Sequence, residues 1–567
     1  MVILAFYFRW DMSGNEKEKL RIGLLIDSFS QCQWVYKIIQ DIRHSDVAEA
    51  VLIMKMERSH KSDRKSIFIN IGNKKRKILW KLYRELDKLI FQSEQDPFKE
   101  MDISSLLNDC SVLYVESMQK VCLNFFPEEV LSDILKYELD VVFSFVFPVL
   151  KGDSLDIARY GVWSFPHGDD LINRGCPLGS WECVQGDPVT GSILQILSPT
   201  LDGGRVIYRS WASTKRFSVS HNVQNCYWKT STLAIQKLRE LHQKTTLAPS
   251  DDKFSTINFP YTTSLYQAPN NIQTLRFLLK LFGRFTIRGM QKLFYYDQWC
   301  LAFKIGKKNS IACTFHDFRT LIPPKDRSWA DPFPVEKEGK YYIFIEEFVR
   351  KKNKAHISVI EMDKEGSWKK PIEVLEKEYH LSHPFIFEWQ SNYYMIPETA
   401  QNKTLELYRC VSFPFEWKLE RVLMENIIAV DATLASIGRL WWLFVNIGTQ
   451  YTGNDDELHL FYSDNPLGAW KPHKSNPVKS DVRCSRPAGR LFSWNGDLYR
   501  PAQDCSFRYG YAISMNIVLR ITPEKFLEKE VSRILPTWKN NIAGIHTLNN
   551  SGKLTCIDSF IFRRRLF

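Results

Sequence analysis

Three segments of the C-terminal half begin alike: Ala330-Asp331-Pro332-Phe333, Ser382-His383-Pro384-Phe385 and Val430-Asp431-Ala432-Thr433. In each, the polar head (Asp331, His383, Asp431) lies 11 residues before an aromatic residue, Tyr342, Tyr394 or Trp442, inside a short apolar run. A fourth copy starts at Arg486-Pro487-Ala488-Gly489 and reaches Leu498-Tyr499. A fifth starts at Gly544-Ile545-His546 and runs to Ile557-Asp558. Starts 48 to 58 residues apart fit one four-stranded blade each, the signature of a radial β architecture. The strand around Trp299 to Ile305 is expected to complete the last blade and close the ring.

Such a ring dictates where the polar heads go. The first strand of each blade lines the central channel, and side chains at its start point into one mouth. Asp331, His383, Asp431, Arg486 and His546 are therefore expected around one funnel. Fifteen residues after the first three heads come Glu346, Glu398 and Asn446, at the ends of the second strands, with Gln503 and Asp504 in the similar place of blade four. Carboxylates, histidines and an arginine converging in this way read as a functional funnel; the blander alternative is that they only hydrogen-bond neighbouring blades.

The N-terminal half has a different texture. Arg21 to Asp27, Val51 to Met54, Ser111 to Val115 and Asp140 to Phe145 are short apolar runs separated by helical stretches such as Pro127 to Tyr137. This alternation predicts a mostly parallel sheet with crossover helices, whose ligands sit at the carboxyl ends of the strands. Lys229 to His242 reads as an amphipathic helix closing this domain. Leu247 to Asn271 reads as a linker, and Ile272 to Leu293 as a basic helix. The expected division is an extension over 1–20, an α/β domain over 21–245, linker and helix over 246–294, and the propeller over 295–567. A chain of 567 residues is too long for one core, which agrees with two domains.

Tyr160 to Ser210 carries the most pattern in this half: Val162-Trp163, Pro166-His167-Gly168-Asp169, Asn173-Arg174-Gly175, Pro177, Thr190-Gly191 and Leu201-Asp202-Gly203-Gly204. The ordered set resembles the formyltransferases of methionyl-tRNA, glycinamide ribonucleotide and nucleotide sugars, over about 190 residues. The resemblance implies a Rossmann-like formyltransferase fold, a 10-formyltetrahydrofolate donor and an amine acceptor such as an amino sugar. Formyl transfer needs an oxyanion donor and a proton relay. In the family an Asn, a His and a following Asp supply them. Asp202 matches the Asp, but the Asn position falls on Ser164 and the His position on Pro166, with His167 one residue later. Ser164, His167 and Asp202 are thus the expected catalytic residues, with Asn173, Arg174, Gly203 and Gly204 around the substrate.

The C-terminal half resembles the five-bladed propellers of furanoside-cleaving glycoside hydrolases. It is closer still to the N-terminal domain of plant glucosamine inositolphosphorylceramide transferases. The residues that carry this are Ala330-Asp331-Pro332-Phe333, Met395 to Thr399, Leu407-Tyr408-Arg409, Pro466 to Trp470, Arg486 to Gly489 and Gly544-Ile545-His546. In the hydrolases a first-blade Asp activates water, a middle Asp tunes the acid and a Glu protonates the leaving sugar. The resemblance assigns the first role to Asp331 and the second to Asp431; position alone places Glu398 in the third. His383, Arg486, Gln503, Asp504 and His546 are the expected substrate contacts.

The expected protein is thus an α/β Rossmann-like formyltransferase fold followed by an all-β five-bladed β-propeller. Its expected work is formyl-type transfer to an amino sugar in glycoconjugate assembly, with a nucleotide-sugar or glycan substrate and a sugar-handling propeller. Two rivals stay open: a glycosyltransferase or hydrolase acting through the propeller beside a degenerate first domain, and a non-catalytic carbohydrate-binding scaffold. No metal site is expected, since the 12 cysteines include no CxxC pair and read as reduced thiols of a cytoplasmic protein. The net charge of +12 gathers in Lys55 to Lys88 and Arg563-Arg564-Arg565, a surface able to touch a membrane peripherally. Nucleic acid is not an expected partner, because the C-terminal module has no RNA-binding barrel pattern. Met1 to Trp10 is apolar but too short to span a bilayer and lacks the basic start of a signal peptide; Met12 offers a second start.

Overall fold

The computed structural model describes residues 17–57, 76–91, 95–116, 118–120, 123–146, 149–150, 152–166, 177–198, 204–244, 266–306, 315–449, 451–539 and 541–565. The chain forms two compact units, Met1–Ser210 with Thr214–Gly283, and Trp211–Ser213 with Arg284–Phe567.

The first unit is built on a seven-stranded sheet. Its strands are β1 (Leu20–Ile26), β2 (Ala48–Glu57), β3 (Ser111–Glu116), β4 (Val141–Ser144), β5 (Val162–Ser164), β6 (Val189–Ile196) and β7 (Arg205–Ser213). They lie in the order β7-β6-β5-β4-β1-β2-β3. Pairing is parallel from β5 through β3, and β6 turns antiparallel onto β5. The apolar runs become central strands because both faces of the sheet are covered: Ile22, Leu24 and Leu25 of β1 and Val141, Val142 and Phe143 of β4 have no exposed surface. The helices are α1 (Gln33–Arg43), α2 (Ile78–Ile90), α3 (Glu128–Leu135), α4 (Trp181–Gln185), α5 (Val219–Lys244) and α6 (Asn271–Phe294).

Helix α5 starts ten residues before the expected Lys229. Ser218 caps it, its Oγ accepting from the His221 N–H at 3.0 Å. The first turns read as polar but are buried: Asn222 donates Nδ2–H to Gly179 O at 2.7 Å and to Thr190 Oγ1 at 2.9 Å. Helix α6 has a reciprocal cap, in which Gln273 N–H donates to Asn270 Oδ1 and Asn270 N–H to Gln273 Oε1, both at 2.9 Å.

The second unit is a five-bladed propeller. Blade one holds Arg327–Lys337, Lys340–Val349, Lys354–Met362 and Ile372–Leu375; blade two holds Ser382–Trp389, Asn392–Glu398, Thr404–Ser412 and Glu416–Glu425. Blade three holds Ile428–Ile437, Leu440–Gly448, Glu457–Ser463 and Lys471–Pro472; blade four holds Phe492–Trp494, Asp497–Asp504, Ala512–Ile521 and Phe526–Ile534. In blade five, Leu548–Ser551 and Leu554–Arg564 come from the end of the unit, and Tyr295–Ile305 and Arg319–Leu321 from its beginning. Tyr295–Ile305 pairs with Leu554–Arg564 without a register break from Tyr295↔Arg564 to Ile305↔Leu554, so the expected closing strand does close the ring. A closed ring leaves no long sheet edge to template aggregation. Aromatic and aliphatic residues pack between blades, among them Phe333, Phe344, Phe385, Tyr408, Trp417 and Leu443.

Candidate functional site

The repeat heads are set by a shared backbone device. Asp331, His383 and Asp431 all have positive φ, 49°, 42° and 53°. Each sits at a break in register with the second strand, between Ala330 and Phe333, Ser382 and Phe385, and Val430 and Thr433. A left-handed residue inside a strand costs about 1–2 kcal/mol, and a bulge re-aims the side chain at that point. Three blades carrying the same strained bulge at the same place turn three polar heads toward one axis.

These heads are linked from blade to blade. His546 Nε2 of blade five lies 3.4 Å from Asp331 Oδ1. The His383 N–H donates to Asp331 Oδ2 at 3.1 Å. His383 Nδ1 lies 3.5 Å from Asp431 Oδ1. Arg486 donates Nε–H to Asp431 Oδ2 at 2.5 Å. Tyr509 spans the remaining step: the Arg486 guanidinium stands 4.7 Å over its ring and His546 lies 5.1 Å from it, centroid to centroid. Below the ring, Asp558 accepts from the N–H groups of Asp331, His546 and Thr547 at 2.9–3.1 Å and lies 2.7 Å from His546 Nδ1.

The five heads are buried, with Arg486 the most exposed of them at 6%. Above them are groups that solvent reaches. Glu398 and Glu346, which pair across from Ser382 and Ala330, keep 16% of their side-chain surface. Glu398 Oε2 is 3.7 Å from Arg486 Nη2, and Glu346 Oε1 is 3.4 Å from His380 Nε2. Asp455, 34% exposed, accepts from Arg486 Nη1 at 2.8 Å.

Burial and charge separate the protonation states of this cluster. Burial alone would raise the Asp431 carboxyl, but Arg486 and His383 outweigh it and hold it at about 2. Burial, the ionised Asp431 and a hydrogen bond with it lift Glu398 well above the usual carboxylate range, against the pull of Arg486. Burial also raises Asp331, to about 7, with Asp431, Glu346 and Asp558 adding to it and His546 opposing. Burial would lower His546, but Asp558 and Asp331 raise it to about 9. Burial brings His383 down to about 4 despite Asp431. The arrangement therefore offers a protonated carboxyl at the rim, Glu398, on an ionised and clamped carboxylate, Asp431. Pairs of carboxyl groups pushed apart in this way are how a site assembles a proton donor at neutral pH.

The sequence-derived residues divide accordingly. Asp331, Glu398, Asp431, His383, Arg486, His546 and Gln503 come together; Gln503 donates Nε2–H to Asp431 Oδ2 at 2.6 Å. Asp331 lies deeper than the role of a water-activating base requires. Its Oδ1 accepts from Thr547 Oγ1 at 2.6 Å and its Oδ2 from His383 N–H, so both oxygens are engaged. Asp504 is not in the funnel: it accepts from Ser506 N–H at 2.9 Å and from Arg533 on the outer strand of its own blade at 2.8 Å. The repeat reached Asp558 only as the end of its fifth copy, without a role at the site, and did not reveal Thr547, Asp455 or Tyr509. Asp455 and Tyr509 lie in connections between strands, outside any repeated position, and Thr547 looks like an ordinary strand residue.

Asp331, His546 and Asp558 present ligand-type atoms within 4.8 Å of one another. Both ring nitrogens of His546 face carboxylates, and the imidazolium this favours donates protons rather than electron pairs to a cation. Farther along the inner strands lies a cavity of about 500 Å³ bordered by Glu336, Phe387, Ser436 and Arg490. There Arg490 donates to Pro334 O at 2.8 Å and Ile386 O at 2.6 Å.

In the first unit, Ser164 ends β5, and its Oγ accepts from Gln195 Nε2–H at 3.3 Å. Gly204 is hemmed in by Gln195, whose Cδ would lie 2.9 Å from an added Cβ. Phe143, Phe145 and Phe165 stack beside this strand end at 5.8–6.2 Å. His167, Asn173, Arg174, Asp202 and Gly203 lie outside the described residues, and with them most of the expected 10-formyltetrahydrofolate site.

Residues 323–548 match the family model described as "Glucosamine inositolphosphorylceramide transferase 1, N-terminal". The chain is 37% identical over 207 residues to the Glucosamine inositolphosphorylceramide transferase 1 of Oryza sativa subsp. japonica, covering 36% of this chain and 28% of that protein. It is 36% identical over 209 residues to the protein of the same name from Arabidopsis thaliana, covering 36% of this chain and 27% of that one. The chain thus spans less than a third of the length of these relatives. Among solved structures, Zg3597, a family 117 glycoside hydrolase of Zobellia galactanivorans, aligns with 14% identity and a TM-score of 0.31 over 47% of this chain and 90% of that one. The blade count rests on the five sheets described above.

These findings overturn formyl transfer as the expected activity. The matched relatives are named for transfer involving glucosamine and inositolphosphorylceramide, and the matched stretch lies wholly in the propeller unit. Among the described residues, the first unit shows a mixed, mainly parallel sheet and nothing more specific to formyltransferases. Two landmarks that the structure describes do ordinary packing work: Thr190 bonds Thr214 and Asn222 under α5, and Gly204 makes room for Gln195. A parallel sheet with a glycine turn recurs under many chemistries. Within the propeller, residues 323–548 are similar to the N-terminal region of glucosamine inositolphosphorylceramide transferases.

Proposed function

We propose that the propeller is the carbohydrate-handling module of a glycolipid-assembly protein and that its funnel acts at a glycosidic oxygen. The observation that carries this is Glu398: a partly exposed carboxyl kept protonated by burial and by the ionised Asp431 beneath it. A proton on such a group has a use where a sugar leaves an oxygen. Glu398 gives its proton to that oxygen as the bond to the anomeric carbon breaks. The acceptor hydroxyl takes the sugar and passes its proton to a second rim carboxylate, for which Glu346 is placed. Arg486 keeps Asp431 ionised throughout. The relatives' names support the substrate class, an amino sugar and a phosphoinositol-headed sphingolipid.

Glu398→Gln keeps the shape and removes the proton. Turnover of a glucosaminyl inositolphosphorylceramide should fall by about 10²–10⁴, while binding of its headgroup glycan, followed by calorimetry, stays within a few fold. Full turnover by this variant sinks the proton-donor reading. A second reading, a binding scaffold, is favoured by the engagement of both Asp331 oxygens. It predicts glycan binding without turnover in the unaltered protein.

A further inference from the structure

Among the described residues of the first unit, α2 and α6 up to Gly283 are apolar on two faces, and one of these is used inside the unit. Their inner faces pack together: Trp80 and Tyr83 of α2 join Phe277 and Leu281 of α6 in one cluster, with the Tyr83 and Phe277 rings 5.3 Å apart. Their starts are tied, Asn271 N–H donating to Arg76 O at 2.7 Å and Leu79 N–H to Asn271 Oδ1 at 3.1 Å. This fixes which residues face outward. On α2 these include Leu82, Leu86, Leu89 and Ile90, 57–72% exposed; on α6 they include Ile272, Leu275 and Leu279, 51–65% exposed. At about 100° per residue, Ile272, Leu275 and Leu279 share one stripe about 60° wide. Single exposed leucines are ordinary; a row of them on two adjoining helices marks an interaction surface.

The charge beside the stripe identifies what covers it. Up to Gly283, α6 has no acidic residue, and its cations Arg276 and Lys280 stand on one side of the stripe, about 40° and 80° round the helix from Ile272. On α2, Lys77, Lys81 and Lys88 lie to one side of the apolar row; of its two acids, Asp87 is buried and accepts from Ser220 N–H at 2.6 Å, and Glu85 is 3.8 Å from Lys88. A second copy of the chain would set these cations against their own counterparts across a two-fold axis. Apolar rows on two adjoining helices, each with cations along one side, suit helices lying in the plane of an anionic bilayer. Among the described residues no helix is long and apolar enough to cross a membrane. We infer that α2 and α6 form a docking surface for an anionic lipid bilayer. The inference does not depend on the funnel's chemistry.

The test is co-sedimentation of the full chain with phosphatidylcholine vesicles, with and without about one-third phosphatidylserine. Binding is expected on the anionic vesicles alone and is lost at high salt, a result that needs no variant. At roughly fivefold per cation, Arg276→Gln with Lys280→Gln should weaken partitioning about 25-fold. Leu275→Gln with Leu279→Gln should weaken it at least tenfold, with an unchanged circular dichroism spectrum. Equal sedimentation with both vesicle types, or none with either, overturns the inference. So does a dimer, seen by light scattering, that the two leucine substitutions dissociate while vesicle binding is absent.

Discussion

Removing Arg486 tests the funnel most directly. Its guanidinium donates to Asp431 at 2.5 Å and Asp455 at 2.8 Å, and stands 3.7 Å from Glu398. In Arg486→Met three carboxyl groups lose the guanidinium they share, leaving Asp431 buried with Gln503 as its remaining side-chain donor and only the weaker influence of His383 and His546 against burial. Breaking a buried pair from one side costs about 3–5 kcal/mol. At about 2–4 °C per kcal/mol for a unit of this size, the propeller transition should fall by roughly 6–20 °C. The pH dependence gives the sharper readout. In the unaltered protein Asp431 is held at about 2, below its unfolded value of about 3.9, so it adds stability above pH 4 that is lost as the pH falls through 2. In the variant, burial pushes the same carboxyl above 3.9, and Asp431 then opposes folding increasingly as the pH rises. The stability gap between the two proteins should therefore widen from pH 4 upward and narrow below it. Adding Asp431→Asn should recover a large part of the loss, a coupling measurable as a double-mutant cycle by denaturant titration. A gap under about 1 kcal/mol, or one that ignores pH between 3 and 7, would refute the claim that Arg486 serves the Asp431 charge.

Three further outcomes follow from the same geometry. His546 is raised to about 9 from an unfolded value near 6.5, so its ion pair with Asp558 stabilises fully below pH 6.5 and is lost as the pH climbs through 9; the melting midpoint should decline over that interval, and His546→Gln should flatten the decline. Gly489 has φ of 122°, and an added Cβ would come within 2.3 Å of Leu548 O, so Gly489→Ala should cost about 2–4 kcal/mol in urea unfolding, against about 1–2 for Gly438→Ala, which has φ of 67° but meets nothing within 4 Å. Asn222→Ala should destabilise the first unit by about 1–3 kcal/mol by removing the partners of Gly179 O and of the Lys215 N–H, measured by its own thermal transition.

The propeller was legible because its repeat is carried by residues under a backbone demand. A head at positive φ, an apolar strand and an aromatic 11 positions on recur because each blade repeats one bulge and one packing layer. The periodicity did not say which heads solvent would reach. Asp331 and Glu398 both read as funnel carboxylates, yet Thr547 and the His383 backbone close over the first and leave the second at the rim. That difference depends on partners from other blades, up to 216 residues away in sequence. Asp504 went astray for a related reason: in a strand, neighbours point to opposite faces, so when Gln503 turns to the axis Asp504 must turn away, toward Arg533. In the first unit the strands were legible from apolar runs, whereas the start of α5 was hidden because Ser220 and Asn222 are polar and buried at once.

The misreading of the first unit and the reading of the second differ in what the motif residues are bound to. The landmarks in the first unit are separate signals, and those the structure describes bond to neighbours that any such sheet would provide: Ser164 to Gln195, Thr190 to Thr214. In the propeller the landmarks lie against one another, His546 by Asp331, Asp331 bonded to the His383 N–H, His383 by Asp431, Asp431 bonded to Arg486. A ring of mutual contacts sets the charge of each member, and a perturbed set of charges at a solvent-reached rim is what chemistry requires. Isolated motif residues impose no such state on their neighbours. Function in this chain is therefore argued from the coupled cluster, with Glu398 as the member whose proton can leave it.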